Sequence, residues 1–249
     1  MHHPRLKIVV NLRFLPRRSH LNPGVADNRD YTCDTSGMND ESSMAMVPVQ
    51  QLCADVAEGL WRSFHRKPGS YHLIFPVKRQ ELDDATRVSE QEAKVLVMQW
   101  LESHGYYYST ETPTRGTYAW TKDGLPQSAL TDVSAYGSRD PLDRILNIEL
   151  KEGQKSFSND LEKLLGEDVP GLWFHTMTTA NRATWRALQK KLNQSLADLE
   201  RRKPEIVERA AHTVHFAFCI LESEELLECD LAFTRWEDHL EASFAGRVA

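Results

Sequence analysis

Arg144-Ile145-Leu146-Asn147-Ile148-Glu149-Leu150-Lys151 is the stretch whose reading decides the fold. In an extended chain, successive side chains take opposite faces. Leu146, Ile148 and Leu150 then share one face, toward a core. Asn147, Glu149 and Lys151 share the other. A carboxylate and an ammonium thus point the same way at the end of a strand whose opposite face is apolar. Just upstream, Gly137-Ser138-Arg139-Asp140-Pro141 is a turn-rich connection. It makes Ala129–Tyr136 the hairpin partner of this strand and sets Asp132 beside it.

Working outward, Ser89-Glu90-Gln91-Glu92 is a capping box that opens a helix running to about Ser103. Its apolar stripe is Ala93, Leu96, Val97, Trp100 and Leu101, and His104-Gly105 ends it. Strands are expected at Tyr106–Thr112 and Thr117–Thr121. After the hairpin come a helix at Ser158–Leu165 and a strand at Gly171–Met177. A long helix follows over Thr179–Arg202, its stripe Trp185, Leu188, Leu192, Leu196 and Leu199, with Pro204 stopping it. Val214–Leu221 and Leu226–Phe233 read as late strands. The fold class is therefore α/β, a mixed central sheet flanked by helices. Before position 81 the expected elements are a strand at Lys7–Phe14, a helix at Val49–His65 and a strand at Tyr71–Val77. Residues 22–45 read as a flexible loop, being poor in large apolar side chains. This places an N-terminal extension or small subdomain over 1–80 and the main domain over 81–249.

Two carboxylates converging on one point repel unless a cation joins them. Mg²⁺ or Mn²⁺ takes hard oxygen ligands, often only one or two protein carboxylates. Asp132 and Glu149 supply two, and the backbone carbonyl of Leu150 is a further candidate ligand. Such a metal activates water and clamps a phosphate. Lys151 can orient that water or stabilise developing charge. Glu90 points closer to the apolar stripe of its helix than Glu92, which capping explains, so Glu90 is the auxiliary acid of choice. Glu111 is a third candidate, and Gln154 can assist Lys151 or contact the phosphate.

Asp132, followed seventeen residues later by Glu149-Leu150-Lys151, resembles the PD-(D/E)xK nuclease superfamily. The resemblance covers about Ser89–Met177: an acidic helix, a hairpin carrying the Asp and the ExK, then helix and strand. Thr131 stands where that family's motif has Pro. The resemblance implies a restriction-endonuclease-like core and metal-dependent hydrolysis of phosphodiester bonds in DNA, in contexts such as phage defence. It equally admits a relative that has lost catalysis and serves as an interaction or structural subunit of a larger assembly.

Composition sets the outer bounds. The chain has 249 residues, 41% hydrophobic and 27% charged, enough apolar material for a core. The net charge of −6 and pI near 5.9 exclude a chain-wide basic surface. Arg182, Arg186 and Lys190 nevertheless recur every four residues on the long helix and could contact a nucleic-acid backbone. A protein partner or a homodimer is also compatible. The longest apolar run, Phe216–Leu221, is too short to span a bilayer, and no signal peptide is visible. The expectation is a cytoplasmic protein with no membrane contact. Cys33, Cys53, Cys219 and Cys229 form no CxxC pair and no His at ligand-like spacing accompanies them, so neither a zinc cluster nor a disulfide framework is expected. His212 and His215 would face opposite ways on a strand and make no metal pair.

Overall fold

The structure is a computed structural model describing residues 9–14, 46–67, 72–79, 84–86, 88–118, 126–153, 157–209 and 213–232. Nine strands and five helices are formed among them. In chain order they are β1 (Val9–Phe14), α1 (Val49–Phe64), β2 (Val77–Arg79), β3 (Asp84–Thr86), α2 (Glu90–Ser103), β4 (Tyr107–Tyr118) and β5 (Gln127–Tyr136). There follow β6 (Arg144–Glu152), α3 (Ser158–Gly166), β7 (Gly171–Met177), α4 (Arg182–Arg202), α5 (Pro204–Arg209), β8 (Val214–Ile220) and β9 (Glu225–Ala232).

Seven strands make one sheet in the order β1-β9-β8-β7-β6-β5-β4, and β2 and β3 pair separately. The sheet is mixed. β6, β7 and β8 run parallel, joined by crossovers that contain α3 and then α4 and α5. The pairs β4–β5, β5–β6, β8–β9 and β1–β9 are antiparallel. A parallel strand needs a long crossover, and its helix covers a sheet face.

Each face carries its own core. On one face Leu146, Ile148, Leu150, Leu172, Phe174, Ala217 and Cys219 meet Leu52, Cys53, Val56 and Leu60 of α1 and Ala93, Leu96, Val97 and Leu101 of α2. On the other, Trp173, Val214, Phe216 and Phe218 meet Leu161 and Leu164 of α3 and Trp185, Leu188, Leu192 and Leu196 of α4. The alternation of β6 is therefore as expected. Its polar face differs in one respect: the central position of the strand buries it, so that Asn147 and Glu149 are about as buried as the leucines.

The helix α2 opens on Ser89. Its hydroxyl accepts from the backbone of Gln91, and the Glu92 carboxylate accepts from the Ser89 backbone N–H at 3.0 Å. Several boundaries differ from expectation. The two strands foreseen at 106–112 and 117–121 are one strand, β4, with its register shifting between Pro113 and Thr117. β4 lies at the sheet edge, where a proline and a bulge are tolerated. Residues 72–76 form no strand. Phe75 is instead buried, edge-on to Phe64 at 5.7 Å. The long helix begins at Arg182 because Asn181 caps it, its Oδ1 accepting from Thr184 N at 3.0 Å. Pro204 ends α4 and opens α5, the first-turn position that proline suits. The loop foreseen at 22–45 lies outside the described residues.

Among the described residues no helix is long and apolar enough to cross a membrane.

Candidate active site

The site begins where two paired strands part. The β5–β6 ladder runs as far as Val133↔Ile148. One residue on, Asp132 uses its side chain instead: Oδ2 accepts the backbone N–H of Leu150 at 2.7 Å. The carboxylate thus takes the place of a strand carbonyl. In a strand, one residue's N–H and C=O point to the same side. The Leu150 carbonyl therefore faces the side on which β5 has separated. β6 continues regardless, because β7 pairs with it through Glu152.

Glu149 and Lys151 stand on the same face of β6 as foreseen. The Lys151 Nζ lies 3.4 Å from Glu149 Oε2, 3.9 Å from Asp132 Oδ2 and 3.2 Å from Asp160 Oδ2. It also sits over the Trp173 ring at 5.8 Å from the centroid. One cation is therefore the meeting point of three carboxylates.

The third acid comes from α3, as does a second lysine. Asp160 and Lys163 are one helical turn apart. Lys163 Nζ lies 2.7 Å from Glu149 Oε1 and 2.9 Å from Asp160 Oδ1, and donates to the Leu130 carbonyl at 2.8 Å. Three carboxylates against two ammoniums leave one net negative charge when all are ionised. Depth divides the group. Glu149 has no exposed surface and Lys163 almost none, whereas Asp132, Lys151 and Asp160 each keep between 15 and 21% of their side chains exposed. The cluster is closed beneath and open above.

The electrostatics follow from this layering. Burial pushes the Glu149 carboxyl up to about 8, opposed by the charge of Lys163 and reinforced by Asp160 and Asp132. Burial works against both ammoniums, yet their carboxylate neighbours hold Lys151 and Lys163 above the ordinary lysine value. Burial likewise opposes ionisation of Asp160, but Lys163 and Lys151 pull its carboxyl below the usual range.

The structure thus brings Asp132, Glu149, Leu150 and Lys151 together. Asp160 and Lys163 belong with them and were not among the expected site residues. Their sequence signal is an acid and a lysine three apart in the helix that follows the ExK strand, on the flank of its Leu161 and Leu164 stripe. Glu90 opens α2, which packs on the opposite sheet face from Glu149 and Lys151. Glu111 lies between the β4–β5 pairs Thr110↔Val133 and Thr112↔Thr131, which sets it opposite Asp132. Its φ of +50° turns it away, and its carboxylate pairs with Lys94 of α2. Gln154 lies outside the described residues. Arg182, Arg186 and Lys190 are exposed on α4, the helix that covers the same sheet face as Glu149.

Two further contacts fix the end of β6. His175, opposite Lys151 in the β6–β7 register, is buried and its Nε2 contacts the Gly153 carbonyl. Gly153 itself has φ +64°, a conformation that glycine takes without strain. The donor set around Lys151 consists of hard oxygens, which fits Mg²⁺ or Mn²⁺ and not a soft-ligand metal. Comparison of the chain with protein-family models, curated proteins and solved structures finds no match.

Proposed function

We propose that this protein is a metal-dependent phosphodiesterase acting on nucleic acid, with DNA as the substrate and a PD-(D/E)xK-like core. The observation that carries the reading is the convergence of Asp132, Glu149 and Asp160 on the Lys151 ammonium, at the point where β5 and β6 part. Asp132, Glu149 and the Leu150 carbonyl would hold Mg²⁺ or Mn²⁺. The ion would supply an activated water and charge neutralisation at the scissile phosphate. Lys151 would orient the attacking water and stabilise charge developing on the phosphate, its own ammonium held in place by Asp160. Arg182, Arg186 and Lys190 would bear on the nucleic-acid backbone.

One observation favours a second reading, an inactive subunit of this kind in a larger assembly. Lys163 already pairs with both Glu149 and Asp160 from within the fold, so the cluster stands without a metal. Calorimetric titration with Mn²⁺ separates the two. Under the enzymatic reading the wild type binds, and an Asp132→Ala/Glu149→Ala double variant that remains folded does not. A folded wild type that binds no Mn²⁺, alone or with DNA present, contradicts it.

A further inference from the structure

The opposite face of the sheet holds a second cluster of ligating groups, and it plays no part in the proposed reaction. Cys53 of α1, His215 of β8 and Glu228 of β9 each present a ligand atom, and these atoms lie within 4.8 Å of one another. All three residues are buried. His215 Nε2 lies 3.0 Å from Glu228 Oε1, and burial, reinforced by the Glu228 carboxylate, pushes the Cys53 thiol well up. The other ring nitrogen, Nδ1, lies 2.6 Å from Asp230 Oδ1. The β8–β9 ladder enforces this arrangement by pairing His215 with Asp230 and Ala217 with Glu228.

We propose that Cys53, His215 and Glu228 form a zinc site, with Asp230 orienting the histidine. Three features support it. First, the ligand types are a thiolate, an imidazole and a carboxylate, the set that selects Zn²⁺ over Mg²⁺. Second, the spacing is close to what the ion needs. Bonds of about 2.0–2.3 Å in tetrahedral geometry put ligand atoms roughly 3.3–3.6 Å apart. The His215–Glu228 distance must open by a few tenths of an ångström, and no other separation, all being within 4.8 Å, need close by more than about 1.5 Å. Side-chain rotation within the cluster supplies such movements. Third, the histidine's outer partner is already in place: Asp230 on Nδ1 turns Nε2 inward, as carboxylate–histidine–zinc triads do.

Cobalt(II) added to the chelator-treated full-length protein is the probe. A Co²⁺–thiolate charge-transfer band with one equivalent bound, displaced by Zn²⁺, is the expected result. The band should vanish in Cys53→Ser and survive in Glu149→Gln, which separates this site from the proposed Mg²⁺ site. Asp230→Asn should keep the band with Co²⁺ bound about 10- to 100-fold more weakly. No charge-transfer band in folded wild type overturns the proposal. So does an equal band in Cys53→Ser, with circular dichroism verifying the fold in each case.

Discussion

Replacing Glu149 by glutamine tests the electrostatics of the candidate active site before any chemistry is asked of it. Glu149 is fully buried, and burial lifts its carboxyl from an ordinary 4.5 to about 8. The folded chain therefore keeps this proton over a range in which the unfolded chain has lost it. The stability it contributes is fully present below the unfolded value and is lost as pH rises through about 8. The two values differ by about 3.5 units, and each is worth about 1.4 kcal/mol, so the wild type forfeits up to about 5 kcal/mol across the window. The amide of Glu149→Gln has the same shape and no proton to lose. Urea unfolding of both proteins, in chelator, from about pH 5 to about pH 8 measures the difference. The variant should gain a few kcal/mol on the wild type over that span. Millimolar Mg²⁺ should flatten the wild-type curve, because a cation in the cluster favours the ionised carboxylate. Parallel pH curves for the two proteins in chelator would refute the reasoning.

Two further variants probe the frame around the site. The buried Glu167 carboxylate accepts from the backbone N–H of Arg115 and of Gly116, each at 3.1 Å, and pairs with Arg144 at 3.1 Å. Glu167→Ala leaves Arg144, itself nearly buried, without that charge, so a loss of about 3–5 kcal/mol is expected from urea unfolding, and a loss under about 1 kcal/mol would contradict this. At Gly171, where β7 starts under α3, an added Cβ would stand 3.1 Å from Leu164 Cβ and 3.3 Å from Val214 Cγ2. Gly171→Ala should cost about 1–3 kcal/mol and lower Tm by several degrees, and an unchanged Tm would show that α3 yields freely.

How far the sequence spoke depended on how local each feature is. The alternation of Ile145–Lys151 located β6 and its faces, because a strand's period is written into consecutive residues. The capping pair Ser89 and Glu92 located α2 for the same reason. The depth of Glu149 was not legible, since α3 and α4 close its face from downstream in the chain. Asp160 and Lys163 look like an ordinary solvated helix pair until that helix is laid on β6. Two strands were expected where β4 runs unbroken, and the edge position of β4 lets one strand carry Pro113 and Gly116. The strand expected over Tyr71–Val77 does not form at 72–76, because among the described residues no neighbour pairs with that segment. The cluster of Cys53, His215 and Glu228 has no local spacing at all. Only the β8–β9 register and the placement of α1 assemble it.

The most direct measurement is metal-dependent cleavage by the wild type and by a folded Lys151→Met variant. The substrates are supercoiled plasmid, linear duplex and single-stranded DNA, each with Mg²⁺, Mn²⁺ or chelator. The account predicts that the wild type cuts at least one substrate, only when metal is present, and that Lys151→Met lowers the rate by about a hundredfold or more. Equal cleavage by both proteins would contradict it, as would intact substrates throughout with a wild type that binds Mn²⁺.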